Sequence, residues 1–241
     1  MKIDDHKTFE VKDFPKLHSP FERKEMDIDH GNGNTEKDAY CVTPKINEGY
    51  EWVFEEADKV KAVEKLDGTN MSIVMKNGKP EMIFARIGPN KINRIPVFSK
   101  NTHHKRIIKG VINAYHRGWL DTLEDGQHYG ELIGPKYGTD DQGDVNPYDM
   151  EEHVFYPFAR ARDKLEMESY GEYGTSYEDI RNWFMDQGLI PLFGSRWHGE
   201  SFEETLNHTE EPEGVIFYHP ETGEMAKLRR DMFPSFQGER H

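Results

Sequence analysis

The sequence predicts an α+β fold built on antiparallel sheets with flanking helices. Short apolar runs of strand length recur along the 241 residues. Asn77-Gly78 is a strong hairpin signal, and helical spacing of apolar residues is confined to a few segments. Strands with few interspersed helices are typical of antiparallel α+β domains.

The first half of the chain predicts an irregular segment followed by strands. Residues 22–48 are polar around Gly31-Asn32-Gly33-Asn34, and this composition indicates a long loop. The tight turn 66–69 separates the first two strand-like runs, and Asn77-Gly78 turns the chain into the third. The predicted strands are 61–65, 70–75 and 81–87.

The second half predicts two helices and four strands. Residues 103–119 place apolar side chains at helical spacing. Ser176 begins a second helix through Gln187, with Asp179 at the third position, close to a capping box. The predicted strands are 129–133, 154–158, 214–218 and 225–228, of which the last two form a hairpin around the turn 220–223.

Composition sets limits on the class of protein. The formal net charge is −14, and because nucleic-acid-binding proteins usually carry a basic face, a polynucleotide partner requires a locally basic groove. The single cysteine, Cys41, excludes an internal disulfide and a thiolate metal cluster. No apolar run approaches the ~18 residues of a membrane span, and Met1–Phe14 lacks the apolar centre of a secretory signal. We therefore expect an intracellular protein.

Lys65-Leu66-Asp67-Gly68 is the first candidate for chemistry. Alone the pattern is weak, since chance produces it in about one protein of this length in fifteen. The structural interpretation is an exposed turn with a lysine beside it, and the chemical one is a lysine nucleophile. An amine is nucleophilic only when neutral, and nearby cations, for which Lys227 and Arg229 are candidates, favour the neutral form.

Five further segments follow in a fixed order, and together the six resemble the collinear motifs of ATP-dependent ligases and mRNA-capping enzymes. The extension Thr69-Asn70 is similar to the form found in phage-type double-strand RNA ligases. The resemblance implies an antiparallel-sheet nucleotidyltransferase domain, the ATP-grasp-like adenylation domain of ligases. The six segments are Lys65–Asn70, Ala85–Gly88 with Arg86, Tyr129–Gly134 with Glu131, Phe155–Phe158, Glu213–Phe217 and Ala226–Arg229.

The resemblance implies roles for the matched residues. Lys65 would attack the α-phosphorus of ATP and take AMP, while Lys227 and Arg229 would hold α-phosphate oxygens. Glu213 would help hold Mg²⁺ or Mn²⁺, hard cations that prefer oxygen ligands. The remaining matched residues bind the substrates: Asp67 and Gly68 the nucleotide, Asn70 a phosphate or metal-bound water, Arg86 the 5′-phosphate or neighbouring nucleotide, Glu131 the ribose hydroxyls and Phe158 the adenine.

Each of these residues also has a structural interpretation. Glu131 is compatible with a solvated strand, Phe158 with a core aromatic, and Glu213 with an acidic loop. Lys227 and Arg229 are compatible with a solvated basic edge. The functional interpretation is favoured because the segments occur together and in the family's order.

The chain departs from the family pattern at three places. Ala159 follows Phe158 where Asp is common, and Arg229 replaces a lysine but keeps the charge and can hold phosphate with two hydrogen bonds. Only 241 − 229 = 12 residues follow Arg229, fewer than the ~50 of a further domain. We therefore expect one domain over residues 1–241, with no OB-fold domain. Residues 1–50, including His18-Ser19-Pro20-Phe21, are expected to form an N-terminal lead-in that completes the substrate surface.

Three hypotheses follow. The first is an ATP-dependent RNA ligase that joins 5′-phosphate and 3′-OH ends through a lysyl-AMP enzyme and a 5′-adenylylated strand. The second is a minimal DNA ligase, and the third is a catalytically inactive nucleic-acid-binding module. The first implies ATP and Mg²⁺ or Mn²⁺ as cofactors, and as partner an RNA that is nicked or carries 5′-phosphate and 3′-OH ends. It implies no membrane and no obligate protein partner, and the small size indicates a viral source.

Overall fold

The computed structural model describes residues 11–31, 33–86, 92–135, 150–159, 169–185, 189 and 212–238. The helices are α1 (Trp52–Glu55), α2 (Thr102–His116) and α3 (Tyr177–Met185), with a 3-10 turn at Arg230–Met232. The strands are β1 (Phe21–Asp29), β2 (Thr35–Ile46), β3 (Lys61–Glu64), β4 (Thr69–Lys76), β5 (Lys79–Arg86), β6 (Ile92–Arg94), β7 (Gly126–Ile133), β8 (Val154–Pro157), β9 (Gly214–Tyr218) and β10 (Met225–Arg229).

The larger sheet has five antiparallel strands in the order β6-β5-β4-β7-β8. Asn77 and Gly78 join β4 to β5 with φ angles of 52° and 71°, as a two-residue hairpin turn requires. Helix α2 covers one face of this sheet, and its Ile107 and Val111 are buried in the core there. Asn101 caps the helix by accepting from the His104 N–H.

The smaller sheet has three antiparallel strands in the order β10-β9-β3. Its apolar face packs in a second core with residues of α1 and α3. Ser176 caps α3, because its hydroxyl accepts from the Asp179 N–H at 3.1 Å and donates to the Asp179 carboxylate at 2.6 Å. The predicted cap is therefore confirmed, while the predicted end at Gln187 lies outside the described residues.

The loop predicted over residues 22–48 is wrong, because β1 and β2 form an antiparallel hairpin there. Register irregularities between Phe21 and Arg23 and between Met26 and Ile28 interrupt its alternation of apolar and polar residues. The hairpin buries Ile28, Ala39 and Cys41 in a small core of its own, while its Phe21 and Val42 pack in the second core. The sparse apolar residues therefore hid a pair of strands.

The three-stranded and the five-stranded sheets, the two larger of the three sheets, are joined by the chain that leaves β3 and enters β4. β3 ends at Glu64 in the three-stranded sheet, and β4 begins at Thr69 in the five-stranded sheet. The Lys65–Gly68 turn is therefore the crossing point between the sheets. None of the described helices is long and apolar enough to cross a membrane.

Candidate active site

A cavity of about 320 Å³ lies between the two larger sheets. This volume lies within the range of small-molecule sites. Val63, Ile216 and Lys227 are neighbours in register across the three-stranded sheet, and all three line the cavity. Residues before and after them in these strands, such as Ala62 and Phe217, are buried in the core behind. Strand alternation therefore supplies one wall of the site.

Lys65 projects into this cavity from the crossing point. Its backbone N–H donates to the Gly214 carbonyl at 2.9 Å, which continues the pairing of β3 with β9 for one more residue. Its ammonium donates to the Glu213 carboxylate and, at 3.4 Å, to the Leu66 carbonyl. The candidate nucleophile is thus held on a fixed backbone, with its charge balanced by Glu213.

Glu213 also connects Lys65 to Arg229. One terminal nitrogen of Arg229 lies 3.8 Å from a Glu213 oxygen, and the other lies 3.0 Å from Asp231. Both Arg229 and Asp231 are largely buried, so this pairing fixes the guanidinium beside the lysine. Asp231 was not predicted, since it lies in the 3-10 turn after the last matched segment.

Lys227 lines the cavity and lies two residues before Arg229 in β10. Burial lowers the pKa of Lys227, and the positive charges of Lys65 and Arg229 lower it further. Its backbone N–H donates to the His18 carbonyl at 2.9 Å. Three cationic side chains therefore converge on one region, a suitable place for phosphate oxygens.

Glu131 lies on the opposite wall, in β7, where Asn70 of β4 is its partner in register. Burial raises the pKa of Glu131 to about 7, and the negative charge of Glu213 adds to this, while Lys65 and a hydrogen bond from Asn70 act in the opposite direction. The carboxyl group is therefore an acceptor inside the cavity whose charge changes near neutral pH.

Gly68 allows the motif turn to approach β7 closely. A Cβ atom at Gly68 would lie 2.2 Å from the Leu132 carbonyl oxygen and 2.9 Å from the Glu131 Cγ. Asp67, the preceding residue, is close enough for its negative charge to raise the pKa of Glu131, although burial has the larger effect. The turn that contains Asp67 and Gly68 thus lies against β7, next to Glu131.

Phe158 lines the cavity and belongs to an aromatic cluster. Its ring centroid lies 5.1 Å from that of Phe14, which lies 5.3 Å from that of Tyr129. Phe158 is partly exposed rather than enclosed in the core. The ring of Phe158 is therefore accessible from the cavity and does not lie in the interior of the core.

Arg86 lines the same cavity and is held by the N-terminal segment. Its guanidinium donates to the Asp13 carboxylate at 3.0–3.2 Å and to the Phe14 carbonyl. Asp13 and Phe14 were not predicted individually, although the lead-in was expected to complete the substrate surface. Residues 73 positions apart leave no periodic signal in the sequence that could reveal such a pair.

The structure thus brings the ten predicted site residues to one place. Six of them line the cavity: Lys65, Asn70, Arg86, Glu131, Phe158 and Lys227. Glu213 and Arg229 join them through ion pairs, and Asp67 and Gly68 form the adjoining turn.

The donor set suits a divalent cation shared with a nucleotide. Among the residues that the structure describes, no three His, Cys, Asp or Glu side chains are grouped to hold a metal by themselves. Mg²⁺ is commonly bound by one or two carboxylates together with substrate phosphates and water. Glu213, with both oxygens directed at cations, fits the part of that protein carboxylate.

Comparison with known proteins assigns the chain to a family. The RNA ligase family model matches residues 58–231, a range that contains every predicted site residue. An RNA ligase mutant from Naegleria gruberi, solved with ATP and Mn, is 13% identical with a TM-score of 0.43, and the match covers 90% of this chain and 62% of that one. A mutant of the Naegleria gruberi RNA ligase R4a, in the apo form, is 11% identical with a TM-score of 0.43, and the match covers 90% of this chain and 61% of that one.

The chain therefore spans about three fifths of the length of these two ligases. No curated protein sequence matches it. The family match covers well over half of the chain, from the residues before β3 to the 3-10 turn after β10. The resemblance drawn from the motifs is thus confirmed: the chain belongs to the RNA ligase family.

Proposed function

We propose that the protein is an ATP-dependent RNA ligase that joins 5′-phosphate and 3′-OH ends through AMP carried on Lys65. One observation carries the proposal: Lys65 lines a cavity of about 320 Å³ at the crossing of two sheets, with Lys227 and Arg229 beside it. Membership of the RNA ligase family supports the same reaction.

The first step transfers AMP from ATP to the protein. The Lys65 ammonium must leave its pairing with Glu213 and release a proton to solvent, because only the neutral amine can attack. A bond then forms between Nζ and the α-phosphorus, and the bond from that phosphorus to the bridging oxygen breaks. A second proton leaves the nitrogen for solvent once it is bonded to phosphorus. The electron pair of the broken bond leaves on pyrophosphate, while Lys227 and Arg229 stabilise charge on the α-phosphate oxygens.

Glu213 would hold Mg²⁺ or Mn²⁺ when ATP is present. The bound cation would supply further neutralisation of phosphate charge. Cation binding at the Glu213 carboxylate competes with its pairing to Lys65, since both use the same oxygens. The resting ion pair is therefore compatible with an amine that is released as the site fills.

The remaining cavity residues recognise the nucleotide and the strand. Glu131 would accept hydrogen bonds from the ribose hydroxyls, with Asn70 holding its carboxyl group in place. Arg86 would bind the 5′-phosphate by exchanging the Asp13 carboxylate for a phosphate, a ligand of similar geometry. AMP would then pass to that phosphate, and the 3′-OH would displace it to seal the strand.

RNA is the proposed polymer partner, and the cell interior is the proposed place of action, where ATP is available. A chain with a net charge of −14 repels polynucleotides at long range. RNA binding therefore has to rest on local cations at the cavity, among them Arg86 and Lys227. We expect this binding to weaken steeply with salt.

Two labelled nucleotides and a set of nicked duplexes test the function. The purified protein is incubated with Mg²⁺ and ATP or GTP labelled at the α-phosphate, and duplexes with ribose or deoxyribose at the 3′-OH end are then supplied. Label from ATP on the protein, with sealing only at ribose ends, is the expected result. Sealing at deoxyribose ends would indicate a DNA ligase, label from GTP a capping enzyme, and no label an inactive binding module.

Replacing Phe158 with alanine should raise the ATP concentration needed for half-maximal AMP transfer. Loss of one base–aromatic stack costs about 1–3 kcal/mol, or roughly 5- to 150-fold in affinity. Phe98→Ala is the matched control, since Phe98 is 98% exposed and outside the cavity. An unchanged ATP requirement in Phe158→Ala would mean that another side chain carries the base.

A further inference from the structure

The N-terminal segment, residues 11–18, lies along the cavity and is anchored near both of its ends. At one end, the Gln127 side chain donates to the Lys12 carbonyl at 2.7 Å and accepts from the Lys12 N–H at 3.0 Å. The Tyr129 hydroxyl also donates to that carbonyl, at 3.1 Å. At the other end, the His18 carbonyl accepts from the Lys227 N–H at 2.9 Å. The backbone between the anchors is therefore held against the site.

Lys16 lies between these anchors and lines the cavity while remaining exposed. Its positive charge is near enough to Lys227 to lower the pKa of that lysine, after the larger effects of burial, Lys65 and Arg229. Within the described parts of the chain, the Lys16 ammonium makes no hydrogen bond or ion pair. The side chain is thus an uncompensated cation at the cavity mouth.

This differs from the cations deeper in the site. Lys65 and Arg229 both pair with Glu213, and Arg86 pairs with Asp13. Lys227 is half-buried and lies beside the candidate nucleophile. Lys16, an exposed cation two residues from the His18 anchor, is instead suited to binding an anion that enters and leaves through the mouth of the cavity.

We propose that Lys16 binds the β- and γ-phosphates of ATP and stabilises pyrophosphate as it leaves. The proposal rests on the function proposed above. In the first step the Nζ–phosphorus bond forms on Lys65 as the bond to the bridging oxygen breaks, and negative charge accumulates on pyrophosphate. Lys16 remains protonated throughout and neutralises that charge, so its role requires no proton transfer to or from Lys16 and no further reactant.

Lys16 should affect the first step of the reaction and not the two later steps. Pyrophosphate is present only while Lys65 takes AMP from ATP, or in the reverse reaction. Transfer of AMP to the 5′-phosphate and sealing of the strand involve AMP alone. A role of Lys16 in polynucleotide binding would instead affect the sealing step.

Three assays on the full chain test this role. They measure the rate of AMP transfer from ATP, the pyrophosphate concentration needed to regenerate ATP from the AMP-bearing protein, and the sealing of a chemically pre-adenylylated strand without ATP. Lys16→Ala should slow AMP transfer and raise the required pyrophosphate concentration, each by about tenfold or more, as expected for one charge-assisted hydrogen bond. Sealing of the pre-adenylylated strand should stay within about twofold, a change too small to reflect such a bond.

Two variants serve as controls. Lys16→Arg keeps the charge and should recover most of the pyrophosphate response. Lys12→Ala removes a charge from the same segment but not from the cavity lining, and keeps the backbone contacts to Gln127 and Tyr129. It should behave as the unmodified protein does.

Each contrary outcome has its own meaning. An unchanged pyrophosphate response in Lys16→Ala, an equal loss in sealing, or the same loss in Lys12→Ala would overturn the role of Lys16. These results presuppose that the unmodified protein forms the AMP adduct. If it does not, the proposed function itself fails, which distinguishes the two failures.

Discussion

Lys65→Ala is expected to abolish the protein–AMP adduct while leaving the fold intact. The proposed bond joins Nζ itself to phosphorus, so the loss should be complete at any ATP concentration. The fold should persist because Glu213 keeps Arg229 as a cationic neighbour. Intact-mass measurement after incubation with ATP and Mg²⁺ checks the adduct, and thermal unfolding checks the fold.

Lys59→Ala is the matched control for this change. Lys59 lies shortly before β3, is exposed and pairs with Glu56 at 2.7 Å, a contact that contributes little in water. It should form the adduct as the unmodified protein does. An adduct that persists in Lys65→Ala would assign the nucleophile to another residue.

Glu213→Gln is expected to slow AMP transfer by about 100-fold or more. Glutamine has the same shape but lacks the negative charge that pairs with Lys65 and that would strengthen binding of a divalent cation. Removal of one preorganised electrostatic contact at a reaction centre commonly costs 10²–10³ in rate. Arg229 should stay in place because it also pairs with Asp231 at 3.0 Å.

The measurement is the single-turnover rate of AMP transfer as a function of Mg²⁺ concentration. Glu224→Gln provides the comparison, since Glu224 is an exposed carboxylate in the β9–β10 turn. A Glu213→Gln protein with a normal rate and a normal Mg²⁺ requirement would exclude Glu213 as the cation ligand.

Features with local causes could be predicted from the sequence. The Asn77-Gly78 hairpin and the Ser176 cap each depend on residues within a few positions of one another. The site residues could be found because their types, order and spacing resemble one family. The structure then gave this order a physical meaning, since alternate residues of neighbouring strands face a single cavity.

Features that depend on distant pairs could not be predicted. Arg86 pairs with Asp13 across 73 positions, and Lys227 contacts His18 through backbone atoms alone. Neither contact leaves a pattern of spacing. The sequence predicts a loop in place of the β1–β2 hairpin because the irregular register of the hairpin weakens the alternation that identifies a strand.

The central claim is that AMP on Lys65 is an intermediate in sealing RNA. Protein loaded with labelled AMP and freed of ATP should be mixed with a nicked RNA duplex and sampled over time. Label is expected to leave the protein, to appear on the 5′-phosphate and to be released as AMP as the strand is sealed. Label that stays on the protein, or leaves it without joining the strand, would contradict the claim.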